Sequence, residues 1–250
     1  MLALKTAMKT NGSVVAPAQR FYIPLNRRRF LQSMAIATAG FTISGAFAEV
    51  LTLTPHLTEG PYYPDHLPLD KDNDLIVISD SITKAVGTVT HVGGRVLDAR
   101  GEPIRNALVE LWQADHGGAY LHSHGANGKA RDAHFQGYGQ FRTGSDGAYK
   151  FRTVKAGLYM GRTRHLHFGI TLPGHSMFTT QLFWREFPKA PDGTPWPITN
   201  AKDSVLSGIR DAAQRASIIK TFTPVPGSPI GEEQTTWDIV MGLTPKDSTH

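Results

Sequence analysis

The sequence contains no cysteine among its 250 residues. Disulfide scaffolds, zinc–thiolate sites, iron–sulfur clusters and a cysteine nucleophile are therefore excluded. Any metal that this chain binds must be held by nitrogen and oxygen donors.

Charge is also scarce, since charged residues make up 19% of the chain against 40% for hydrophobic ones. Glycine and proline are plentiful, with 25 and 16 copies. This composition is typical of a loop-rich β protein rather than a helical bundle. The length suits one sizeable domain with a real core and does not require two.

Acidic residues are missing from the first 48 positions, which carry six cations: Lys5, Lys9, Arg20, Arg27, Arg28 and Arg29. Taking these six charges from the net charge of +5 leaves −1 for residues 49–250. The excess positive charge therefore belongs to the first 48 residues, and we expect no nucleic-acid partner.

We predict that residues 1–48 are a twin-arginine signal peptide. The arginines at 27–29 precede an apolar run at 34–47, and the run ends in the small-x-small pattern Ala46-Phe47-Ala48. An amphipathic first helix is the alternative, but these three features seldom coincide in one. The run is shorter than the roughly 20 residues of a membrane span. We therefore expect a periplasmic or extracellular protein with no stable membrane anchor after signal removal.

Residues 49–85 are predicted to form an extended N-terminal arm. They include Thr58-Glu-Gly-Pro-Tyr-Tyr-Pro64, which is too rich in proline and glycine for a helix or a central strand. Tyr62 and Tyr63 give this arm an aromatic tip.

The predicted fold class is all-β, with an antiparallel β-sandwich at residues 86–243, long loops, at most a short helix and a C-terminal tail at 244–250. Apolar alternation and glycine-rich turns indicate the strands. The candidate strands are 86–96, 107–112, 148–153, 165–172, 179–184 and 235–241. A rough helical period predicts one helix within 203–220.

Four side chains on strand ends and loops form a candidate metal site. His165 and His167 are two apart on a predicted strand and so point to the same side. Tyr159 follows a glycine turn, and Tyr120 lies in a long loop that we expect to run from Trp112 to about residue 141. Phenolate is a hard, charged donor, so an N₂O₂ set of this kind favours ferric iron over zinc or magnesium.

The chain resembles the intradiol ring-cleaving dioxygenases over about residues 55–187. The order and most of the spacing of several motifs match that family. They are Thr58-Glu-Gly-Pro-Tyr-Tyr63, Gly94-Arg-Val96, Val109-Glu-Leu-Trp-Gln-Ala-Asp115, Gly117-Gly-Ala-Tyr120, Ser145-Asp-Gly147, Gly157-Leu-Tyr159, Arg162-Thr-Arg-His-Leu-His-Phe168 and Thr180-Gln-Leu-Phe183.

The resemblance implies intradiol cleavage of a catechol-type aromatic diol by O₂ to a muconate-type dicarboxylic acid. It implies a non-haem Fe(III) cofactor, with four protein ligands and two further site residues. The ligands would be Tyr120, Tyr159, His165 and His167, and the further residues Arg162 and Gln181. Tyr62 or Tyr63 would line the mouth of the substrate pocket.

The chain departs from the family pattern on the pocket wall. Only five residues separate Tyr159 from His165, Met160-Gly161 replaces the aromatic common in protocatechuate enzymes, and Thr163-Arg164 replaces the usual proline. These changes leave the diol unidentified. The oligomeric state is also open, with a homo-oligomer among the alternatives.

Two other functions remain as alternatives. The segments around Gly94 and Asp146 also fit a non-catalytic, transthyretin-like β-sandwich binding module, although such modules lack the tyrosines and the histidine pair. A histidine-rich copper or zinc protein would instead use His122, His124 and His134.

Overall fold

A computed structural model provides the structure of the protein. The chain divides into two compact units, residues 1–48 and 49–250, and the described residues all belong to the second. They are 51–79, 81, 83–125, 130–186, 194 and 197–243. The predicted signal peptide and the predicted tail at 244–250 lie outside them.

Two five-stranded sheets form the body of the protein. The first contains β1 (Val89–Leu97), β4 (Ala148–Val154), β8 (Thr223–Pro224), β9 (Glu233–Thr236) and β10 (Ile239–Val240). The second has the order β3 (Tyr138–Arg142), β2 (Leu108–Trp112), β5 (His165–Thr171), β6 (Phe178–Trp184) and β7 (Ile219–Lys220). The predicted all-β class is confirmed.

The long strand pairs are antiparallel, whereas short C-terminal strands add parallel edges. Strand β1 pairs antiparallel with β4, β2 pairs antiparallel with β3 and β5, and β5 pairs antiparallel with β6. Strands β9 and β10 both join β1 in parallel, and β7 joins β6 in parallel. The sheets are therefore mixed rather than purely antiparallel.

The predicted strand at 235–241 is interrupted between β9 and β10. Trp237 donates its backbone N–H to the carbonyl of Gly93, 2.8 Å away. A Cβ on Gly94 would lie 1.8 Å from the Trp237 carbonyl oxygen, so only glycine permits this close crossing.

Strand alternation separates the core from the candidate site. On β5, the apolar Leu166, Phe168 and Ile170 enter the hydrophobic core. His165 and His167 alternate with them and so point to the opposite face of the second sheet. The functional face thus lies on the outside of the sandwich.

The prediction of one continuous helix within 203–220 is wrong. Two short helices occupy this segment, α1 (Ser204–Ser207) and α2 (Ala212–Ser217). Asp203 caps the first and Asp211 caps the second, and both cap residues have extended backbone. The first helix does not continue through Asp211, because the side chain of this residue accepts hydrogen bonds from the N–H groups at the start of a new helix. Among the described residues, no helix is long and apolar enough to cross a membrane.

The predicted loop from Trp112 to residue 141 is also too long. Strand β3 begins at Tyr138 and pairs with β2, with Trp112 opposite Tyr138. The short sequence Tyr-Gly-Gln-Phe-Arg carries a glycine and two polar residues, so its pattern alone does not indicate a strand.

Candidate active site

Three predicted ligands meet at one buried point. The Tyr120 hydroxyl lies 3.1 Å from Nε2 of His165 and 3.2 Å from Nε2 of His167. The three residues are only 2%, 3% and 4% exposed. The structure thus brings together side chains that lie up to 47 positions apart in the chain.

The donor set of this group fits a cation. A backbone carbonyl only accepts, so the 2.6 Å contact from His165 Nδ1 to the Thr163 carbonyl places the ring proton on Nδ1 and leaves a lone pair on Nε2. A phenol has a single hydrogen, yet the Tyr120 hydroxyl faces two ring nitrogens. A metal ion bound to all three atoms would use a lone pair from each of them, so that no second proton is needed at this point.

Tyr159 is half-buried and packs against Tyr120. The two rings are 5.2 Å apart and meet edge to face. A two-residue turn follows Tyr159, because Arg162 donates its N–H to the Tyr159 carbonyl over 2.7 Å. Met160 and Gly161 in that turn have φ values of 36° and 73°. The short link noted in the sequence is therefore a tight turn that sets Tyr159 beside Arg162.

Gly157 places the segment before Tyr159 against the loop before Tyr120. Its N–H donates to the Asp115 carbonyl over 2.8 Å. A Cβ at this position would lie 2.4 Å from the backbone nitrogen of Gly118. The absence of a side chain here allows the two tyrosine-bearing segments to touch.

The tip of the arm contributes one tyrosine to the site. Tyr62 stacks on Tyr120 with ring centroids 5.3 Å apart and meets Tyr159 edge to face at 5.2 Å. Tyr63 turns away, and its hydroxyl donates to Glu110 over 2.9 Å. Of the two residues predicted to line the mouth of the substrate pocket, Tyr62 lies at the site, whereas Tyr63 lies beside it and bonds to Glu110.

A row of directly paired residues supports His167 from behind. Trp112 and Gln181 lie opposite it on β2 and β6. The Trp112 ring stacks on the imidazole at 5.0 Å and 17°. Gly60, with φ of +79°, closes the other side, since a Cβ there would lie 3.2 Å from His167 Cε1.

Glu110 is a buried carboxylate next to this row, and sequence reasoning did not single it out. It accepts hydrogen bonds from the hydroxyls of Tyr63 and Tyr138. Burial raises the pKa of Tyr63 to about 12, and the hydrogen bond to Glu110 and the charge of that carboxylate act in the same direction. The motif around Trp112 contains Glu110, but only the strand register shows that it faces the site side of the sheet.

Arg162 is held by two side chains at the edge of the site. Its Nε donates to Asp203 over 2.8 Å, and its Nη2 donates to the Gln181 side-chain oxygen over 2.8 Å. Gln181 in turn donates to the Thr58 carbonyl over 3.0 Å. The structure therefore links the two predicted site residues directly and adds Asp203, which is 41 positions from Arg162.

Burial sets the protonation of the donor set. It lowers the pKa of His165 and His167, and the nearby Arg162 charge acts in the same direction. Burial raises the pKa of Tyr120, although the Arg162 charge opposes this shift. The imidazoles are thus neutral and available as ligands near pH 7, while the phenol needs a strong cation to lose its proton.

Within the described residues, the histidines of the long loop do not group as a metal site. His122 and His124 lie with ring centroids 5.9 Å apart. In the part of the chain that the structure describes, which includes His134, no three histidine, aspartate or glutamate side chains group as a metal site. The copper or zinc alternative therefore has no structural support.

Comparison with known proteins gives consistent matches. A family model described as Dioxygenase matches residues 58–242. The protocatechuate 3,4-dioxygenase beta chain of Burkholderia cepacia is 33% identical over 185 residues, which cover 70% of this chain and 72% of the relative. Catechol 1,2-dioxygenase 2 of Acinetobacter lwoffii is 28% identical, over 67% of this chain and 62% of the relative.

Solved structures show the same fold. The dioxygenase domain of a carbohydrate-binding fusion protein from Streptomyces sp. SirexAA-E is 28% identical with a TM-score of 0.54, covering 77% of this chain and all of that domain. An intradiol ring-cleavage dioxygenase from Tetranychus urticae has a TM-score of 0.59 at 21% identity, covering 79% of this chain and 98% of its own.

Proposed function

Because this chain belongs to the family of intradiol ring-cleaving dioxygenases, we propose that it cleaves a catechol-type diol with O₂ at a non-haem Fe(III) held by Tyr120, Tyr159, His165 and His167. The observation that carries the proposal is the Tyr120 hydroxyl, which lies within 3.2 Å of both histidine Nε2 atoms. Two neutral imidazoles and two phenols would give a ferric ion hard, charge-neutralising donors.

Ferric iron bound there would act as a Lewis acid and as a template for the diol and O₂. In the reaction, the bond between the two hydroxyl-bearing carbons breaks. Both atoms of O₂ enter the product, and the two carbons become carboxyl groups. The atoms and electrons balance without an added reductant.

Tyr159 is proposed as the base. Unlike Tyr120 it is only half-buried, and it lies beside the exposed turn at Met160. Its Oη, when ionised, is able to accept a proton from a hydroxyl of the entering diol. The buried Tyr120 would remain in place because Tyr62 stacks on its ring.

Arg162 is proposed to stabilise negative charge on the diol ring. A guanidinium keeps its charge at any pH of interest, and its two hydrogen bonds fix its plane. A fixed cation of this kind stabilises charge that develops in the transition state without needing to reorganise. Tyr62 would form the aromatic wall of the pocket.

The substrate class is proposed as an ortho-diol, since the relatives are named for protocatechuate, catechol and hydroxyquinol. The two-residue turn after Tyr159 shortens the pocket wall, and Met160 in it is 70% exposed. We therefore favour a more open mouth than in relatives with a longer insert. A non-catalytic module would have no use for the buried convergence of Tyr120, His165 and His167.

We also propose that residues 1–48 export the folded enzyme by the twin-arginine route, so that it acts in the periplasm or outside the cell. The supporting pattern is the arginine run with the Ala46-Phe47-Ala48 end. Mass analysis of the secreted protein should give an N-terminus at Glu49, and an intact N-terminus on exported protein would contradict the proposal.

Oxygen uptake against a panel of catechols, with mass analysis of each product, tests the activity. At least one diol should give a muconate-type diacid containing both oxygen atoms of labelled O₂. Cleavage next to the diol rather than between its hydroxyls would refute the intradiol assignment.

A further inference from the structure

Asp203 is a buried carboxylate in which each oxygen has a separate set of partners. Its side chain is fully buried. Oδ1 accepts the N–H groups of Val205 and Leu206 at 3.0 and 3.2 Å, which caps helix α1. Oδ2 accepts Arg162 Nε at 2.8 Å and the Thr163 N–H at 3.0 Å.

Capping a helix requires only one of these oxygens. Asp211 shows this, because it caps α2 with Oδ1 alone, at 2.8 and 3.0 Å from Ala213 N and Gln214 N, and it is exposed. The second oxygen of Asp203 is therefore available for a different role, and it is directed at the Arg162–Thr163 segment.

Two routes lead from this second oxygen to the site. The first fixes Arg162, whose guanidinium is then oriented by Asp203 on Nε and by Gln181 on Nη2. The second fixes the peptide of Thr163, whose carbonyl contacts His165 Nδ1 at 2.6 Å and so orients that imidazole. One buried carboxylate thereby positions both the Arg162 guanidinium and His165, a proposed metal ligand.

We propose that Asp203 is a positioning residue for the diol-cleaving reaction, acting through Arg162 and through Thr163 on His165. This proposal rests on the proposed function for its catalytic consequence, but not for its geometry. Among the hydrogen bonds of the described residues, the Asp203 carboxylate makes none with the Tyr120, His165 or His167 side chains, so it holds the groups that surround the donors rather than supplying a donor.

The test compares Asp203→Ser with Asp211→Ser in the full chain. Serine caps a helix well, but it has only one side-chain oxygen and so leaves none for Arg162. We expect the Arg162 Nε–H, identified by its loss in Arg162→Lys, to exchange with water about tenfold faster or more in Asp203→Ser. It should be unchanged in Asp211→Ser. Side-chain nitrogen NMR of the metal-free or gallium(III)-loaded protein gives this rate without iron or substrate.

The kinetic arm uses the iron-loaded protein and reports kcat per bound iron. A merely structural role for Asp203 would lower the folded, iron-loaded fraction but leave kcat per iron and KM unchanged. Positioning predicts that kcat per iron falls by about 10- to 100-fold in Asp203→Ser while Asp211→Ser keeps the wild-type value. If Asp203→Ser does not fold, the second variant is Asp203→Asn, which keeps the shape of the side chain and loses its charge.

The proposal is overturned if Arg162 Nε–H exchange in the folded Asp203 variant equals that of the wild type. It is likewise overturned if kcat per iron is unchanged. Failure of the wild type to cleave any catechol would refute the proposed function instead, and the exchange measurement would still decide whether Asp203 holds Arg162.

Discussion

At the scale of single residues, the ability of the site to bind a cation depends on donor atoms that are free of protons. Two imidazole nitrogens face one phenol oxygen at 3.1 and 3.2 Å. Thr163 fixes the tautomer of His165, and burial disfavours protonation of both rings. A cation that bound here would meet donors already in place, which would reduce the cost of organising the site.

Replacing His165 by alanine should remove the iron. The variant loses one of the two neutral nitrogen donors that meet the Tyr120 hydroxyl at a buried point. His175→Ala is the control, because His175 is exposed on the turn after the same strand. Metal analysis of the purified proteins gives the result, and full iron content in His165→Ala would show that the ligand assignment is wrong.

Gly60 is a residue whose role the sequence could not reveal. The motif with two tyrosines drew attention to aromatic side chains, yet the glycine in it has φ of +79° and lies against His167. Asp203 is a similar case, since its sequence context indicates only a helix cap. Contacts over 41 or more positions depend on the fold and leave no local pattern.

At the scale of elements, the arm is attached to the second sheet on both sides of Tyr62. Near Leu57 it bonds to β6, with Leu57 N–H donating to the Thr179 carbonyl over 2.9 Å. At its tip, Tyr63 bonds to Glu110 on β2. Tyr62 lies between these attachments and the site, so its position depends on both.

Tyr63→Phe should therefore weaken substrate binding as well as stability. Loss of its hydroxyl leaves Glu110 with one phenol donor fewer. For a buried acceptor, this should lower the free energy of unfolding by about 1–3 kcal/mol. The loosened tip should also raise KM. Tyr149→Phe is the matched control, because this buried hydroxyl donates to the Trp237 carbonyl over 2.7 Å in the other sheet.

Denaturant unfolding and steady-state kinetics of both variants measure these effects. Both should lose stability, but only Tyr63→Phe should change KM. An equal KM in the two variants would mean that the arm does not position the pocket.

Most strands were predictable from the sequence, but two elements near the site were not. Alternating apolar residues indicated β2, β4, β5 and β6 within a few residues. Strand β3 was missed because Gly139 and Gln140 weaken its pattern, and it is held by pairing with β2. The single helix predicted at 203–220 divides at Gly208 and Asp211, where two caps outweigh a weak period.

At the scale of the whole molecule, buried phenols should make the protein less stable at alkaline pH. Burial is the first cause that raises the pKa of Tyr63, Tyr120, Tyr138 and Tyr149, with Tyr63 at about 12. An unfolded phenol ionises near 10.0, whereas these ionise only at higher pH when folded. Their contribution to stability is therefore complete below about pH 10 and is lost as pH rises through the folded values.

The free energy of unfolding of the metal-free chain should accordingly fall steeply above about pH 10. Urea unfolding at a series of pH values measures the slope. Tyr149→Phe, which removes one buried phenol, should give a shallower slope than the wild type. Parallel slopes would indicate that this phenol does not remain un-ionised in the folded protein.

The family assignment was accessible from the sequence because its motifs are local. The segment around His165 and His167, the Tyr120 loop and the arm each carry a short pattern, and the order of these patterns is typical of the family. The substrate was not accessible, because the pocket wall is where the chain departs from the pattern. The signal peptide stays a prediction, since residues 1–48 lie outside the described residues.

The visible absorption spectrum of the purified full chain, read with its iron content, tests the central claim most directly. Tyrosinate bound to ferric iron should give a broad charge-transfer band and a burgundy protein with about one iron per chain. The band should change but persist in Tyr159→Phe, because Tyr120 remains. A folded protein that is colourless and free of iron would contradict the account.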